Sequence, residues 1–319
     1  SHRLLARSKQ GNSKEQGASV NGLVLKKKPD GTKYRIMHVA GSGTSKYYMY
    51  LSKNLAKDSF NGGDKEMFDH FLAFIRPPME GEDEPKWIFI NIEQTTEFTE
   101  EMFLEAVKGK DNFMSQADAL KHIKDTLKID CIVPHLYCFN SGTYCRVAFD
   151  MLDIPYLGSP GSMNHIYASK WMSQSLVKGY GVRCPQDQLL KENDLSQVQQ
   201  KVPLIVKPSK EDNSNGVSLV KKSEDIQAAL DEAFKWDDEI LVQEYIPGRE
   251  IRVGVSKRDG EIEVHALLEY LFNEKTEIRD KNAKYCHDDE GMAMHFNIPA
   301  KSDTALKISC PAATSDALK

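Results

Sequence analysis

Hydrophobic positions change their spacing along the chain. KYRIMHVAGSG (33–43) is a β-type run ending in glycines, and KWIFINI (86–92) and IDCIVP (129–134) read as two more buried strands. Helical spacing lies between them. DKEMFDHFLAFIR (64–76) places Met67, Phe68, Phe71, Leu72 and Ile75 on one helical face. EFTEEMFLEAVKGK (97–110) does so through Phe103, Ala106 and Val107, with Thr99 as its cap. SQADALKHIKDTLK (115–128) repeats the pattern through Leu120, Ile123 and Leu127. Alternating strands and helices predict a three-layer α/β domain with a mostly parallel sheet.

From about residue 160 the order changes. SMNHIYASKWMSQSLVKGYG (162–181) reads as one helix ended by Gly179 or Gly181, with Met163, Trp171 and Met172 as packing positions. Strands at 202–207 and 217–221 pair, a helix covers 223–235, and strands follow at 240–243, 250–256 and 261–269. Asp259-Gly260 is a turn signal between the last two. This half predicts an α+β arrangement with antiparallel sheets. Residues 1–32 are basic, rich in Ser, Gly and Gln, and poor in apolar positions, which predicts a mobile tail. Arg3, Arg7 and Ser8, with no acid before Glu15, fit a transit peptide and residual tag sequence about equally.

Composition narrows the choice of function. The chain has 319 residues and a net charge of -5, which argues against a general binder of nucleic acid or membrane surface. No apolar run approaches the ~20 residues of a membrane helix. The six cysteines (131, 138, 145, 184, 286 and 310) form no C-x-x-C pair. That favours a reduced, cytoplasmic chain, with organelle targeting by the tail left open.

The chemistry concentrates in VPLIVKPSKEDNSNGVSLV (202–220). A strand ends on Lys207-Pro208, a polar loop runs to Asn213-Ser214-Asn215-Gly216, and a second strand begins at Val217. A lone lysine at a strand end is usually solvated. Here the Ser/Asn/Gly tip supplies backbone N–H groups able to form an anion-binding nest, and Gly216 permits positive φ. The arrangement predicts a hairpin that closes over phosphates. In QEYIPGREIRVGV (243–255) a strand-end segment can pair its backbone with an adenine edge, and a carboxylate six residues later can accept both ribose hydroxyls.

The order Lys170, IVKPS (205–209), NSNG (213–216), QEYIPGRE (243–250) and AKY (283–285) resembles an ATP-grasp ligase, closest to the D-alanine–D-alanine ligase family. IPYLGS (154–159) before SMNHIYASK (162–170) is similar to the family's lead-in to its central domain. The resemblance covers about 33–319 and is strongest over 154–254. After the tail (1–32), it implies an N-terminal α/β domain (33–158), a central ATP-grasp domain (159–246) and the start of a C-terminal ATP-grasp domain (247–319). It also implies that Lys170 and Lys207 contact ATP phosphates and that Ser214 and Gly216 cover them. Glu244, Tyr245 and Ile246 would hold the adenine and Glu250 the ribose. Lys284 and Tyr285 would belong to a closing loop, 272–291, of the catalytic site. Amino-acid-like substrates are expected beside the nucleotide, with no nucleic-acid or membrane partner and room for a homodimer.

Two departures qualify the substrates. AGSGTSK (40–46) is a near miss to a P-loop and to a dinucleotide fingerprint. The family places there a glutamate that binds the first substrate's ammonium; here Ser45 or Lys46 stands in its place. CFNSGTYCR (138–146) lacks the acids of the corresponding family motif. The chain stops at ISCPAATSDALK (308–319), before the family's Asp, Glu and Asn ligands for Mg2+. Asp288, Asp289 and Glu290 read as a solvated turn, and His135 and His165 as structural more often than functional. Three functions stay open: an amide-forming ligase with changed substrates, a nucleotide-binding module without turnover, and an ATP-grasp phosphotransferase.

Overall fold

The computed structural model describes residues 28–90, 96–108, 113–256, 261–265 and 278, with the backbone of 19–20, 23–24, 257–258, 266–270, 285–287, 293–296 and 307–308. Two compact units divide between Ser173 and Gln174, and a short later segment, His287–Met294, joins the first.

The first unit begins with a two-stranded antiparallel pair, β1 (Ser19–Val20) and β2 (Leu23–Val24). Its body follows as β3 (Tyr34–Gly41), α1 (Lys46–Asn61), β4 (Phe68–Arg76), β5 (Lys86–Ile90), α2 (Glu100–Lys108), β6 (Phe113–Met114), α3 (Gln116–Lys121), β7 (Cys131–His135), α4 (Phe139–Met151) and α5 (Gly161–Ala168). The five-stranded sheet has the order β6-β5-β4-β3-β7. Parallel pairing joins β3 to β4 and β7, while β5 and β6 add antiparallel strands at one side. Alternation along the central strands makes the three layers. Met37, Val39, Ala73 and Ile75 pack with Ile123 and Phe149 on one face. Ala40, Leu72 and Phe74 pack with Met49, Phe60 and Phe103 on the other.

The stretch 64–76 is a strand, β4, and not a helix. Phe71 to Ile75 are apolar at both parities because the strand is covered on both faces, so the alternation that marks a half-buried strand is missing. Helix α1 escaped the apolar pattern because Ser52 and Lys53 occupy buried positions on it. Ser52 Oγ accepts from Gly41 N at 2.7 Å, and Lys53 pairs with Glu100. Thr99 does cap α2, its Oγ1 accepting from Met102 N at 3.3 Å.

The predicted helix 162–181 is two helices, α5 and α6 (Lys170–Gly179). Ser169 separates them in extended backbone, and its Oγ accepts from Met172 N at 3.3 Å, capping α6. Met163 and Met172 are exposed, so packing does not explain them.

The second unit continues with β8 (Asp187–Leu190), β9 (Leu204–Pro208), β10 (Ser218–Val220), α7 (Ile226–Ala233) and β11 (Ile240–Glu244). They form the antiparallel sheet β10-β9-β11-β8. Leu204, Val206, Ile240 and Val242 point to α7 and pack with Ala229, Leu230 and Ala233. Next come β12 (Glu250–Arg258), β13 (Glu261–Tyr270), β14 (Tyr285–His287), β15 (Ala293–Phe296) and β16 (Lys307–Ile308). Strands β12, β13 and β16 form a three-stranded antiparallel sheet. The turn signal Asp259-Gly260 and the acidic run Asp288–Glu290 lie outside the described residues.

Candidate functional site

Strand alternation decides where Lys207 points. Leu204 and Val206 enter the core against α7, so Ile205 and Lys207 project from the opposite face. Lys207 Nζ donates to Gln243 Oε1 at 2.8 Å. Gln243 is buried on β11, and its Nε2 donates to Gln174 Oε1 at 2.8 Å. A neutral amide holds an ammonium without cancelling its charge.

The predicted hairpin is present, with Ser218 opposite Val206 and Val220 opposite Leu204. Its loop contains three left-handed residues, Asn213 (φ 59°), Ser214 (φ 64°) and Gly216 (φ 65°). The base of the loop is pinned: Lys210 N donates to Asp237 Oδ2 at 2.6 Å, and Lys210 Nζ lies 3.2 Å from Asp237 Oδ1 and 2.5 Å from Asp238. The tip folds back on the strand end. A Cβ at Gly216 would lie 2.8 Å from Trp236 Cδ1 and 2.9 Å from Pro208 Cγ. Only glycine fits both that approach and that φ without strain.

Glu244 closes β11. Its N–H donates to Gln186 O at 2.9 Å, and its carboxylate accepts from Gln186 N at 2.9 Å. Tyr245 N donates to Pro203 O at 3.2 Å. These groups hold the strand end, and Ile246 stands exposed beyond it. Glu250 is exposed at the start of β12. Thus Lys207, Ser214, Gly216, Glu244, Tyr245, Ile246 and Glu250 share the second unit. Lys170 opens α6 in the first unit. Tyr285 begins β14, and Lys284 lies outside the described residues, as does most of the segment 272–291.

The glycine loop of the first unit is not built as a phosphate cradle. Ser42 Oγ accepts from Thr44 N at 3.2 Å and Ser45 N at 3.0 Å, while Ser141 Oγ accepts from Gly43 N at 2.8 Å. Serine hydroxyls thus take the N–H groups that a P-loop turns toward a phosphate. Ser45 caps α1 and Lys46 opens it. Gly41 (φ 105°) is required by packing, since a Cβ there would meet Ile75 O at 2.0 Å. Beside this loop lies a cleft of about 230 Å³, lined by Thr44, Trp87, Asn140, Ser141 and Tyr144 among others, and every lining residue is uncharged.

His135 belongs to a buried chain of three histidines. His70 Nε2 lies 3.2 Å from Asp64 O, His38 Nε2 lies 3.0 Å from His70 Nδ1, and His135 Nε2 lies 3.3 Å from His38 Nδ1. A carbonyl only accepts, so His70 carries its proton on Nε2, and with neutral rings the same tautomer follows for His38 and His135. Burial, with the neighbouring His135, His70 and Lys65, lowers His38 to about 3; burial lowers His135 to about 4 and also lowers His70. His165 packs against Phe139, with ring centroids 4.8 Å apart.

Gln243, Gln174 and Asp187 were not singled out by motif. The available signal was the alternation of β11, which sends Gln243 to the same face as Lys207. Among the described residues, no group of three or more His, Cys, Asp or Glu side chains is placed to hold a metal ion, and no helix is long and apolar enough to cross a membrane.

Comparison with known proteins points in one direction. A sequence profile of the D-ala D-ala ligase C-terminus matches residues 180–315. The D-alanine–D-alanine ligase of Citrifermentans bemidjiense is 34% identical over 159 residues, 49% of this chain and 48% of the relative. That of Trichlorobacter lovleyi is 35% identical over 157 residues, 48% of this chain and 46% of the relative. The chain spans about half the length of these curated relatives. Among solved structures, D-alanine–D-alanine ligase from Helicobacter pylori has a TM-score of 0.59 at 16% identity, covering 89% of this chain and 80% of that one. VanG D-Ala:D-Ser ligase from Enterococcus faecalis has a TM-score of 0.58 at 23% identity, covering 75% and 70%. Likeness at these identities establishes the fold.

Proposed function

Since the chain is a D-alanine–D-alanine ligase-like protein of the ATP-grasp fold, we propose that it works as an ATP-dependent carboxylate–amine ligase with an altered substrate site. The carrying observation is the Lys207 ammonium, held by a neutral amide at the mouth of a hairpin whose loop has three left-handed residues. ATP, when bound, converts a substrate carboxylate to an acyl phosphate with release of ADP, and an amine then displaces phosphate to leave an amide.

The chain's own residues contribute charge and position. Lys207 neutralises phosphate oxygens, and the Ser214–Gly216 backbone turns over them. The edge from Glu244 to Ile246 receives the adenine, with Glu244 fixed by Gln186. Glu250 accepts the ribose hydroxyls. Lys284 and Tyr285 close over the reacting groups and keep water away. Magnesium belongs to this reading, but the described residues supply no ligand set for it, and no step is assigned to it. The uncharged cleft in the first unit favours an acid component recognised without a carboxylate-to-ammonium bond.

The test is an ATP-consumption screen over paired amino acids, with orthophosphate as readout. Release that requires both an acid and an amine supports ligation. Tight ATP binding without turnover supports a binding module, and a stable phosphorylated product supports a phosphotransferase. Lys207→Ala should weaken ATP binding about tenfold or more, and an unchanged affinity removes the lysine from the site.

A further inference from the structure

The face of the second-unit sheet that carries Lys207 also carries a continuous polar chain. Gln243 pairs with Ile205 on β9 and with Asp187 on β8. Lys207 lies two residues beyond Ile205 and shares its face. From there Lys207 Nζ donates to Gln243 Oε1 at 2.8 Å, and Gln243 Nε2 donates to Gln174 Oε1 at 2.8 Å. Gln174 Nε2 donates to Pro185 O at 3.0 Å and to Asp187 Oδ2. Lys178, one turn further along α6, donates to Asp187 Oδ1. The Asp187 side chain is 4% exposed and Gln243 is 6% exposed, so water competes little for these bonds.

We propose that Gln243 and Gln174 form a directional relay that positions the Lys207 ammonium for an anionic ligand, here the nucleotide phosphates. The proposal rests on the nucleotide reading of the site. An ammonium has only donors and an ionised carboxylate only acceptors, so the two ends dictate which way both amides face. Gln243 must offer its oxygen to Lys207 because its nitrogen is committed to Gln174. Gln174 must offer its oxygen to Gln243 because its nitrogen is committed to Asp187. Gln243 thus orients Lys207 without neutralising it. A carboxylate at position 243 would hold the lysine equally well and cancel much of the charge meant for phosphate. Gln174, Gln243 and Asp187 are positioning residues that act through Lys207.

The experiment measures dissociation constants of the full chain for ATP and for adenosine, the latter by competition with a fluorescent ATP analogue. Gln174→Met keeps the side-chain volume and removes the relay. It should raise the ATP constant about three- to tenfold, the scale of one lost hydrogen bond, and leave adenosine unchanged. Gln174→Glu combined with Asp187→Asn keeps the relay running in the same direction. The carboxylate introduced at position 174 accepts from Gln243, and the amide introduced at position 187 donates to that carboxylate. The bond to Pro185 O is given up, and Lys178 donates to an amide oxygen in place of its carboxylate partner, a loss that the melting temperature reads. The double variant should bind ATP within about twofold of the parent chain. Ligand-free melting temperatures of both variants check folding. If Gln174→Met binds ATP like the parent while Lys207→Ala does not, the relay is wrong and the site stands. Equal losses for ATP and adenosine mean a structural role only and overturn the relay. Absence of ATP binding by the parent chain, or indifference to Lys207→Ala, overturns the nucleotide reading and the relay with it.

Discussion

His135→Gln should remove about 2 kcal/mol of the stability that the first unit loses between pH 7 and pH 5. His38 and His135 are held at about 3 and about 4, against an ordinary value of 6.5, chiefly because burial disfavours their charged forms. Lys65 adds repulsion on His38 and His70, while Asp64 and Asp69 pull His70 the other way without reversing its net downward shift. The unfolded chain gains protons as the pH falls through 6.5, and the folded chain does not. Stability is therefore complete above about pH 7 and declines as the pH falls toward the folded values. At pH 5 the unfolded histidines lie about 1.5 units above the solution pH, and at about 1.4 kcal/mol per unit each group costs about 2 kcal/mol. His38 and His135 together cost about 4 kcal/mol, a large share of the roughly 5–15 kcal/mol that stabilises a domain. Glutamine at 135 can still donate to His38 Nδ1 and does not titrate, so the loss should shrink by about 2 kcal/mol. Urea denaturation at fixed pH measures the loss, and hydrogen exchange of β3 and β4 amides reports on the first unit. A parent loss below about 1 kcal/mol over this range, or an identical loss in His135→Gln, would refute the neutral histidine chain.

Other perturbations test packing and loop geometry. Gly216→Ala puts a methyl group within 2.9 Å of Pro208 Cγ and Trp236 Cδ1 at φ +65°. It should cost about 1–2 kcal/mol and raise the ATP dissociation constant, measured by titration, whereas wild-type affinity would detach the loop from the ligand. Leu230, fully buried under the β8–β11 sheet, should cost about 2–5 kcal/mol on truncation to Ala in urea denaturation of the second unit. Thr99→Ala removes the α2 cap and should cost about 1 kcal/mol, with exchange protection lost first in the opening turn of α2.

Much of the site is readable as local sequence. IVKPS and NSNG are a strand end and a turn tip, and local preference alone brings them into one hairpin, which the register of Ser218 with Val206 bears out. The P-loop near miss at 40–46 could not be resolved that way. Its N–H groups are satisfied by Ser42, nearby in sequence, and by Ser141, 98 residues from Gly43. Apolar periodicity succeeded where one face of an element is wet, as in α2. It failed for β4, buried on both faces, and for α1, whose buried positions include Ser52 and Lys53.

By itself the sequence determined the order of motifs from Lys170 to Glu250 and the cation at the end of a strand. Short-range preferences suffice for that. Tertiary structure alone decided what holds the cation. Gln243 lies 36 residues from Lys207 and 69 from Gln174. They meet because antiparallel register and α6 carry their side chains to one face. Spacing along a chain encodes neither the register of distant strands nor which amide must turn its oxygen toward a lysine.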